Sequence, residues 1–531
     1  MIPILCLGAL LFGWVLFHVH KNLISSPLRH LLGPKSFALT KWRLGYAEYR
    51  GMRTHCVNNL HKKYGEVVRV SPYEVSFSSL SALRKIYGSG SQFERDDFYQ
   101  MFDAYDRKVL FSYSSGREHR ERKKILNSAY TKTAIMSPSN VDMVEEKVKD
   151  FLALVQRDSS ATGAVEIFSA LHYFAMDSVS HFVYGATSPG RTTAMKGTHE
   201  HREIIDDMLD PARRKLFWYA AFWPRLTEML YAQGAIVQKS LASFGLLPMK
   251  TPTYTGLREH SFPVIQHLET QQLLGPDDSL ASRLLAGTIP SAKASAPMDT
   301  LDVAAECSDH FLAGIDTTSN TLMWVIYQLS RPENEGFQSK LRAEIQALDG
   351  PAGSGTFIYP EKAGALPYLD AVIRETLRLH APSPGSEPRW STNDEIIEGY
   401  TIPRGTVVSI SPYTLHRQPQ VFENPLRFDP ERWLGPEDQV AERKRWFWAF
   451  SSGARMCIGV HLAMAEMTTL LANIYQNYWT HIPSEYLQVS PGMSARGDLF
   501  YDEHLSQVEE HKCWIQFVPI RALSTCLQGC V

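Results

Sequence analysis

Phe450-Ser451-Ser452-Gly453-Ala454-Arg455-Met456-Cys457-Ile458-Gly459 places one cysteine in a short loop directly before an apolar-periodic run. That run, Ile458 to about Tyr475, carries Leu462, Ala465, Leu470, Leu471 and Ile474 at helical spacing. A free thiol has a pKa of roughly 8.5, and binding as thiolate needs positive potential, which a helix N-terminus, backbone N–H groups and a metal can supply together. Gly453 is read as letting the backbone pass close beneath a flat cofactor, and Gly459 as leaving room where the helix meets it. Arg455, two residues before the sulfur, can reach a carboxylate on the cofactor edge in a forked geometry. A lone cysteine is by default a small buried hydrophobe. Four fixed neighbours make Cys457 a metal ligand instead.

The chain has 531 residues, 44% of them hydrophobic, and a net charge of -2. No repeat or long linker divides it, so residues 46–531 are expected to form one catalytic domain. The near-neutral charge leaves no basic stripe for nucleic acid, and no nucleic-acid partner is expected. Seven cysteines without a Cys-x-x-Cys pair argue against a disulfide framework or a zinc site. Residues 1–20 contain no Lys, Arg, Asp or Glu. At 1.5 Å per residue they reach ~30 Å, enough for a transmembrane anchor. Lys21, Arg29, Lys35 and Lys41 follow, which puts the body of the protein on the cytosolic side. Pro27 and Pro34 make residues 21–45 a stiff, non-helical hinge.

Asp302 to Ser330 is a proline-free run of helical composition, ~43 Å long if continuous. In its middle lies Ala313-Gly314-Ile315-Asp316-Thr317-Thr318. An ordinary core helix gains nothing from Gly, Asp and two Thr, each of which lowers helix propensity. Local rules broken mid-helix point to a site. Thr317 can hydrogen-bond to a carbonyl one turn earlier, and Gly314 is read as clearing space for a diatomic ligand. Glu375 and Arg378 share one face of an amphipathic helix.

Elsewhere, Glu66–Val70 and Glu74–Phe77 alternate as a hairpin, and Glu395–Ser409 reads as another, with turns at Gly399 and Arg404-Gly405. His119 and Lys123, four apart, share a helix face that is otherwise a solvated basic surface. The aromatics of Phe93–Phe111 suit either core packing or a loop lining a substrate cavity. Leu216–Pro224 suits either core or a lipid-dipping lid. Gly287–Pro297 reads as a surface loop.

Taken together, the cysteine stretch resembles the haem-binding signature Phe-x-x-Gly-x-Arg-x-Cys-x-Gly of the cytochrome P-450 family, the haem-thiolate monooxygenases. Ala313–Thr318 is similar to that family's oxygen-activation motif, and Glu375-x-x-Arg378 with Pro430-Glu431-Arg432 to its Glu-x-x-Arg network. The resemblance runs in family order over nearly the whole chain. It implies a mainly α fold with a small β region, holding haem b between the long helix and the cysteine loop.

Several residue roles come with it. Cys457 is implied as the axial ligand of the haem iron, with Phe450, Gly453 and Gly314 around the haem. Arg455, Arg389, His119 and Lys123 are implied for its propionates. The family more often has Trp and Arg where His119 and Lys123 stand, and the histidine variant resembles fungal microsomal members. His416 is implied as either a propionate or a structural residue, and Pro382–Ser386 as touching substrate. Thr317 and Asp316 are implied to handle O2 and its protons, and Arg432 to lock Glu375 and Arg378. No dinucleotide or flavin fingerprint appears, so electrons are expected from an NADPH-dependent cytochrome P-450 reductase.

The expected activity is insertion of one oxygen atom from O2 into a lipophilic molecule in fungal secondary metabolism, a terpenoid, polyketide or alkaloid. The expected place is the endoplasmic reticulum membrane, with lipid around the anchor. A haem-thiolate isomerase, peroxide-driven enzyme, desaturase or ring-coupling oxidase is the alternative within enzymes. A non-enzymatic haem sensor or membrane adaptor is the alternative outside them, and it leaves Gly314, Asp316 and Thr317 without a reason.

Overall fold

The computed structural model describes residues 2–210, 218–219, 222–223, 226, 243, 255–271, 279–286, 298–349 and 356–520. The surface loop read at Gly287–Pro297 lies outside them, as does much of Leu216–Pro224.

Helices carry most of the architecture. Those that build the site are α1 (Ile2–Val19), α2 (Gly116–Leu126), α3 (Pro138–Thr162), α4 (Ile167–Tyr184), α5 (Thr300–Ser330), α6 (Pro367–Leu379) and α7 (Val460–Asn477). The small β region centres on a five-stranded sheet of β1 (Val67–Ser71), β2 (Glu74–Phe77), β3 (Glu94–Arg95), β4 (Arg389–Trp390) and β5 (Val407–Ser409), in the order β1-β2-β5-β4-β3. The expected mainly α fold with a small β region is the one observed.

α5 begins at Thr300, just ahead of the run read from Asp302. At α5, Asp299 accepts from the Asp302 amide while Asp302 accepts from that of Asp299, a reciprocal cap. Arg331 is extended before Pro332, which ends the helix. Ser115 caps α2 through the Glu118 amide. β1 and β2 pair antiparallel, as read. The second hairpin is shorter than its sequence suggests. Glu395–Ile397 pairs with Tyr400–Ile402 through a turn in which Glu398 and Gly399 both have positive φ, and Val407–Ser409 instead joins the five-stranded sheet beside β2.

The large apolar core gathers inward faces of α3, α4, α5, α6 and α7. Trp324, Leu322 and Ile326 of α5 are fully buried, as are Phe168, Leu171 and Phe174 of α4. A second core lies under the sheet and takes Leu28 and Leu31 from the segment after α1. That segment corrects the expectation of a non-helical hinge. Lys35–Leu39 and Trp42–Tyr49 are short helices, the first beginning at Pro34, where a missing N–H costs nothing. Apolar side chains give these residues a face to bury, as Phe37 and Leu44 do. Among residues whose side chains are described, no helix is long and apolar enough to cross a membrane; in α1 the side chains of residues 2–9 and 11 are outside that description.

Buried neutral histidines tie the fold to pH. His61 is buried between the Gly65 carbonyl (2.9 Å from Nδ1) and the Ser76 hydroxyl (2.8 Å from Nε2), and desolvation pushes its pKa down to about 4. Because the unfolded chain binds a proton near pH 6.5, where the folded imidazole refuses it, stability is full above that pH and drains below it. The loss is up to about 1.4 kcal/mol per pH unit for each such histidine. Calorimetric unfolding at pH 7.5, 6.5 and 5.5 should show a falling midpoint. His61→Gln should lower the midpoint at pH 7.5 and flatten its decline.

Candidate active site

The Cys457 loop is held from three sides. Its own backbone closes a turn, with the Cys457 amide donating to the Phe450 carbonyl at 2.9 Å. Ser451 and Gly453 both have positive φ. A Cβ on Gly453 would come within 2.5 Å of the Tyr87 carbonyl oxygen and 2.9 Å of Gly88, so the requirement for glycine is double. This corrects the reason assigned to Gly453, whose tight contact is with the chain at Tyr87-Gly88. Lys123 of α2 closes another side, donating from Nζ to the carbonyls of Ala454 (3.0 Å) and Met456 (2.7 Å). Burial raises the Cys457 thiol pKa, opposed by the Gly459 amide and the Lys123 ammonium. The sulfur nevertheless stands open to a cavity.

That cavity, about 450 Å³, lies between the loop and α5. Cys457, Phe450, Ile458 and Gly459 form one wall; Gly314, Asp316, Thr317 and Ala313 form the facing one. Phe102, Phe111, Leu312 and Met208 give it an apolar side. Phe111 meets both Phe102 and Tyr99 in edge-on contacts, so the aromatics of this segment serve the core and the cavity at once. Pro382 and Ser383 line it too.

One side of the cavity gathers two guanidiniums and a neutral histidine. Arg455 donates to the carbonyls of Tyr113 (2.6 Å) and Ser114 (2.7 Å). His119 is buried and its Nδ1 has no partner among the described residues. Arg95, which sequence reasoning missed, joins them: its guanidinium donates to the Phe111 carbonyl, stacks on Tyr99 and Phe111, and leaves Nε unpartnered. Burial and mutual repulsion push Arg455 down to about 8, Arg95 to about 10 and His119 to about 2. Two guanidiniums and the unpartnered buried Arg95 Nε and His119 Nδ1 beside an open thiol suit a large group with a soft-metal centre and an anionic edge, and an iron porphyrin with its carboxylates fits that donor set.

Two of the expected propionate residues stand differently. Arg389 is not on the cavity wall; it lies behind, bound to the Tyr99 hydroxyl (3.0 Å) and Glu387 (3.2 Å) and stacked on Tyr87. Lys123 reaches the cavity, and its ammonium donates to carbonyls of the cysteine loop.

On α5, Thr317 donates to the Ala313 carbonyl at 2.8 Å, as its position predicts. Gly314 lines the cavity and also serves the packing of α5. A Cβ there would lie 2.5 Å from Val179 Cγ2 of α4, so the glycine permits two helices to cross closely. Asp316 Oδ1 accepts from Asn320 Nδ2 at 2.8 Å and lies 3.3 Å from His172 Nε2, neither of which was foreseen. Asn320 is four residues on and was findable by helical spacing. Asp309 and Glu466 also face the cavity, and burial pushes their carboxyls up to about 7 and about 8.

Behind the loop sits the carboxylate of Glu375. It accepts from Arg378 Nε (2.9 Å) and Nη2 (2.8 Å), Arg432 Nε (3.0 Å), Trp433 Nε1 (3.0 Å) and the Asp429 amide (3.0 Å). His416 links this hub to the loop: Nδ1 donates to the Arg378 carbonyl (3.1 Å), and Nε2 accepts from the Trp448 amide (2.8 Å). Burial, with Arg378 and Arg417 nearby, holds its pKa down at about 3, as this neutral tautomer requires.

Fold and site thus define a haem-thiolate enzyme. The cytochrome P450 family model matches residues 34–491, and the chain belongs to that family, the haem-thiolate monooxygenases. It is 27% identical over 472 residues to cytochrome P450 monooxygenase aflV of Aspergillus parasiticus, covering 87% of this chain and 88% of the relative. It is 28% identical to cytochrome P450 monooxygenase stcB of Emericella nidulans, covering 85% and 82%, and 28% identical to hkm5 of Aspergillus hancockii, covering 86% of each.

Removing one member of a buried ionic hub costs roughly 3–5 kcal/mol because the partners stay buried and uncompensated. Glu375→Ala and Arg378→Ala should therefore yield little haem-loaded protein. Haem absorbance per milligram and the unfolding midpoint measure this, and wild-type values for both would remove the hub from its structural role.

Proposed function

We propose that this protein is the terminal oxidase of a secondary-metabolic step, inserting one oxygen atom from O2 into a lipophilic small molecule. The observation that carries the reading is the open Cys457 sulfur across the cavity from Thr317 and Asp316. Residues 46–531 form the catalytic domain, and the prosthetic group is haem b. When bound, it supplies a redox-active iron whose thiolate ligand donates the electron density that favours O–O cleavage.

The protein's own contribution is to hold and to protonate. Cys457 supplies the ligand sulfur, with its loop clamped by Lys123 and by the Trp448–His416 bond. Arg455, Arg95 and His119 would hold the propionates, and Phe450 and Ile458 would pack against the haem. The Thr317 hydroxyl, spending its own proton on the Ala313 carbonyl, keeps its lone pairs for a donor in the cavity. Asp316 relays protons to that point. Phe102, Phe111, Leu312 and Met208 offer the substrate an apolar wall and keep bulk water from the protons being moved.

Electrons come from an NADPH-dependent cytochrome P450 reductase. The protein sits on the endoplasmic reticulum membrane with its catalytic domain in the cytosol. Support for the anchor comes from Leu10, Phe12, Trp14, Leu16 and Phe17, all exposed on α1, which only lipid or another apolar surface would cover. Trp42, Tyr46, Tyr49 and Trp223 add an exposed aromatic patch of the kind that favours a membrane interface. Trp218 Nε1 ties the two segments of that patch together through the Gly45 carbonyl at 2.8 Å.

Three measurements test this. Cys457→Ala should abolish the thiolate-type carbon monoxide spectrum of the reduced protein, and its survival would identify a different ligand. In reductase-supported turnover, Thr317→Ala should raise the peroxide released per NADPH; an unchanged ratio removes Thr317 from the reaction. Mass spectrometry of metabolites from the source organism with and without the gene should reveal a precursor one oxygen lighter than the missing product. A pair differing by no atoms, or by hydrogen alone, would replace oxygen insertion with isomerisation or desaturation.

A further inference from the structure

His172 sits on α4, fully buried, with its ring stacked 4.4 Å from that of Phe168. Its Nδ1 lies 2.7 Å from the Phe168 carbonyl oxygen and its Nε2 lies 3.3 Å from Asp316 Oδ1. A carbonyl oxygen only accepts, so at 2.7 Å Nδ1 must carry a hydrogen. In a neutral imidazole that leaves Nε2 bare. A bare nitrogen facing a bare carboxylate oxygen would be two acceptors in contact, with no hydrogen between them. The geometry is satisfied when the pair holds one proton more than neutral imidazole plus carboxylate.

We infer that His172 is a positioning residue for oxygen chemistry: with Asp316 it stores one proton beside Thr317 and aims the carboxyl at the cavity. The inference rests on the reading of Asp316 and Thr317 given above. Asn320 Nδ2, 2.8 Å from the same Oδ1, holds that oxygen beside His172 in the resting pair. Asp316 lines the cavity and is partly open to it, whereas His172 is sealed. To release a proton, Asp316 takes the shared proton on Oδ1 and the carboxyl turns about its Cβ–Cγ bond to present it to the cavity, leaving neutral imidazole and carboxylate; one proton from cavity water and the reverse turn restore the pair. Gly314 makes the contact possible. It meets Val179, two turns along α4 from His172, and a side chain there would part the helices.

The test uses full-length, haem-loaded protein. In the reduced carbon monoxide form, which is diamagnetic, 15N-histidine labelling reads both ring nitrogens of His172, assigned by their loss in His172→Gln. Expected is a protonated Nδ1 together with an Nε2 that shares a proton and changes shift in Asp316→Asn. A bare Nδ1 with a simple Nε2–H tautomer overturns the inference, because no extra proton is then stored.

The second readout is O2 reduction by NADPH and reductase, in H2O and D2O, with no organic substrate added. His172→Gln keeps a donor for Asp316 but cannot store a proton. It should therefore slow NADPH consumption severalfold, raise the solvent isotope effect and shift the product from water toward peroxide. The double variant with Asp316→Asn should add nothing further, since the two side chains act as one unit. The carbon monoxide band and unfolding midpoint of each variant confirm an intact fold. Full activity in His172→Gln overturns the proposal even when Asp316→Asn and Thr317→Ala still alter the products. No effect from any of the three overturns instead the reading of Asp316 and Thr317.

Discussion

One buried carboxylate organises the half of the molecule that carries the thiol. Glu375 is fully buried and accepts five hydrogen bonds, from two arginines, a tryptophan and a backbone amide. A charge in such a place is tolerable only when every lone pair is used, and leaving one partner out is more costly than never having buried the group. The donors come from α6 and from Asp429–Trp433, so satisfying Glu375 docks the segment before the cysteine loop onto the helical core. Arg378 extends the order outward by donating to the carbonyls of His416 and Pro425.

The cavity divides into two electrostatic halves, each incomplete by itself. Around Arg95, His119 and Arg455, burial and the crowding of guanidiniums depress protonation, and the histidine stands neutral. Along α5 the pattern reverses, with Asp309 and Asp316 as acids on a helix face otherwise given to apolar and hydroxyl groups. A flat group with an anionic edge meets the first half, and proton traffic suits the second. The cysteine loop and Gly314 hold the two halves at a set separation.

What could be read from the sequence was local. The cysteine loop, the long helix, the first hairpin and the Glu375–Arg378 pair all depend on contacts within a few residues or on strict spacing, and the structure has each of them. Arg432 follows the same logic at longer range because its motif is itself compact. The remainder depends on pairings that no period encodes. His172 meets Asp316 across 144 positions. Arg95 joins Arg455 and His119 because β3 pairs with β4 in the sheet. Arg389 was expected to meet a propionate, and packing instead gives its guanidinium the Tyr99 hydroxyl as a partner. Gly314 and Gly453 were correctly marked as positions where a side chain does not fit, yet the objects that exclude it, Val179 and the Tyr87-Gly88 backbone, are visible only in three dimensions.

The histidine joining hub to loop has a dynamic consequence. A glycine-bearing surface turn ordinarily opens on its own, at little cost, many times for each global unfolding event. Here the Trp448 amide is locked to His416, whose other nitrogen is locked to the Arg378 carbonyl, inside the most costly part of the core to break. The thiol's loop and the hub therefore form a single cooperative unit. The Trp448 amide, bonded to His416, and the Cys457 amide, bonded to the Phe450 carbonyl, are therefore the two of this loop that should exchange with the core and not with the surface.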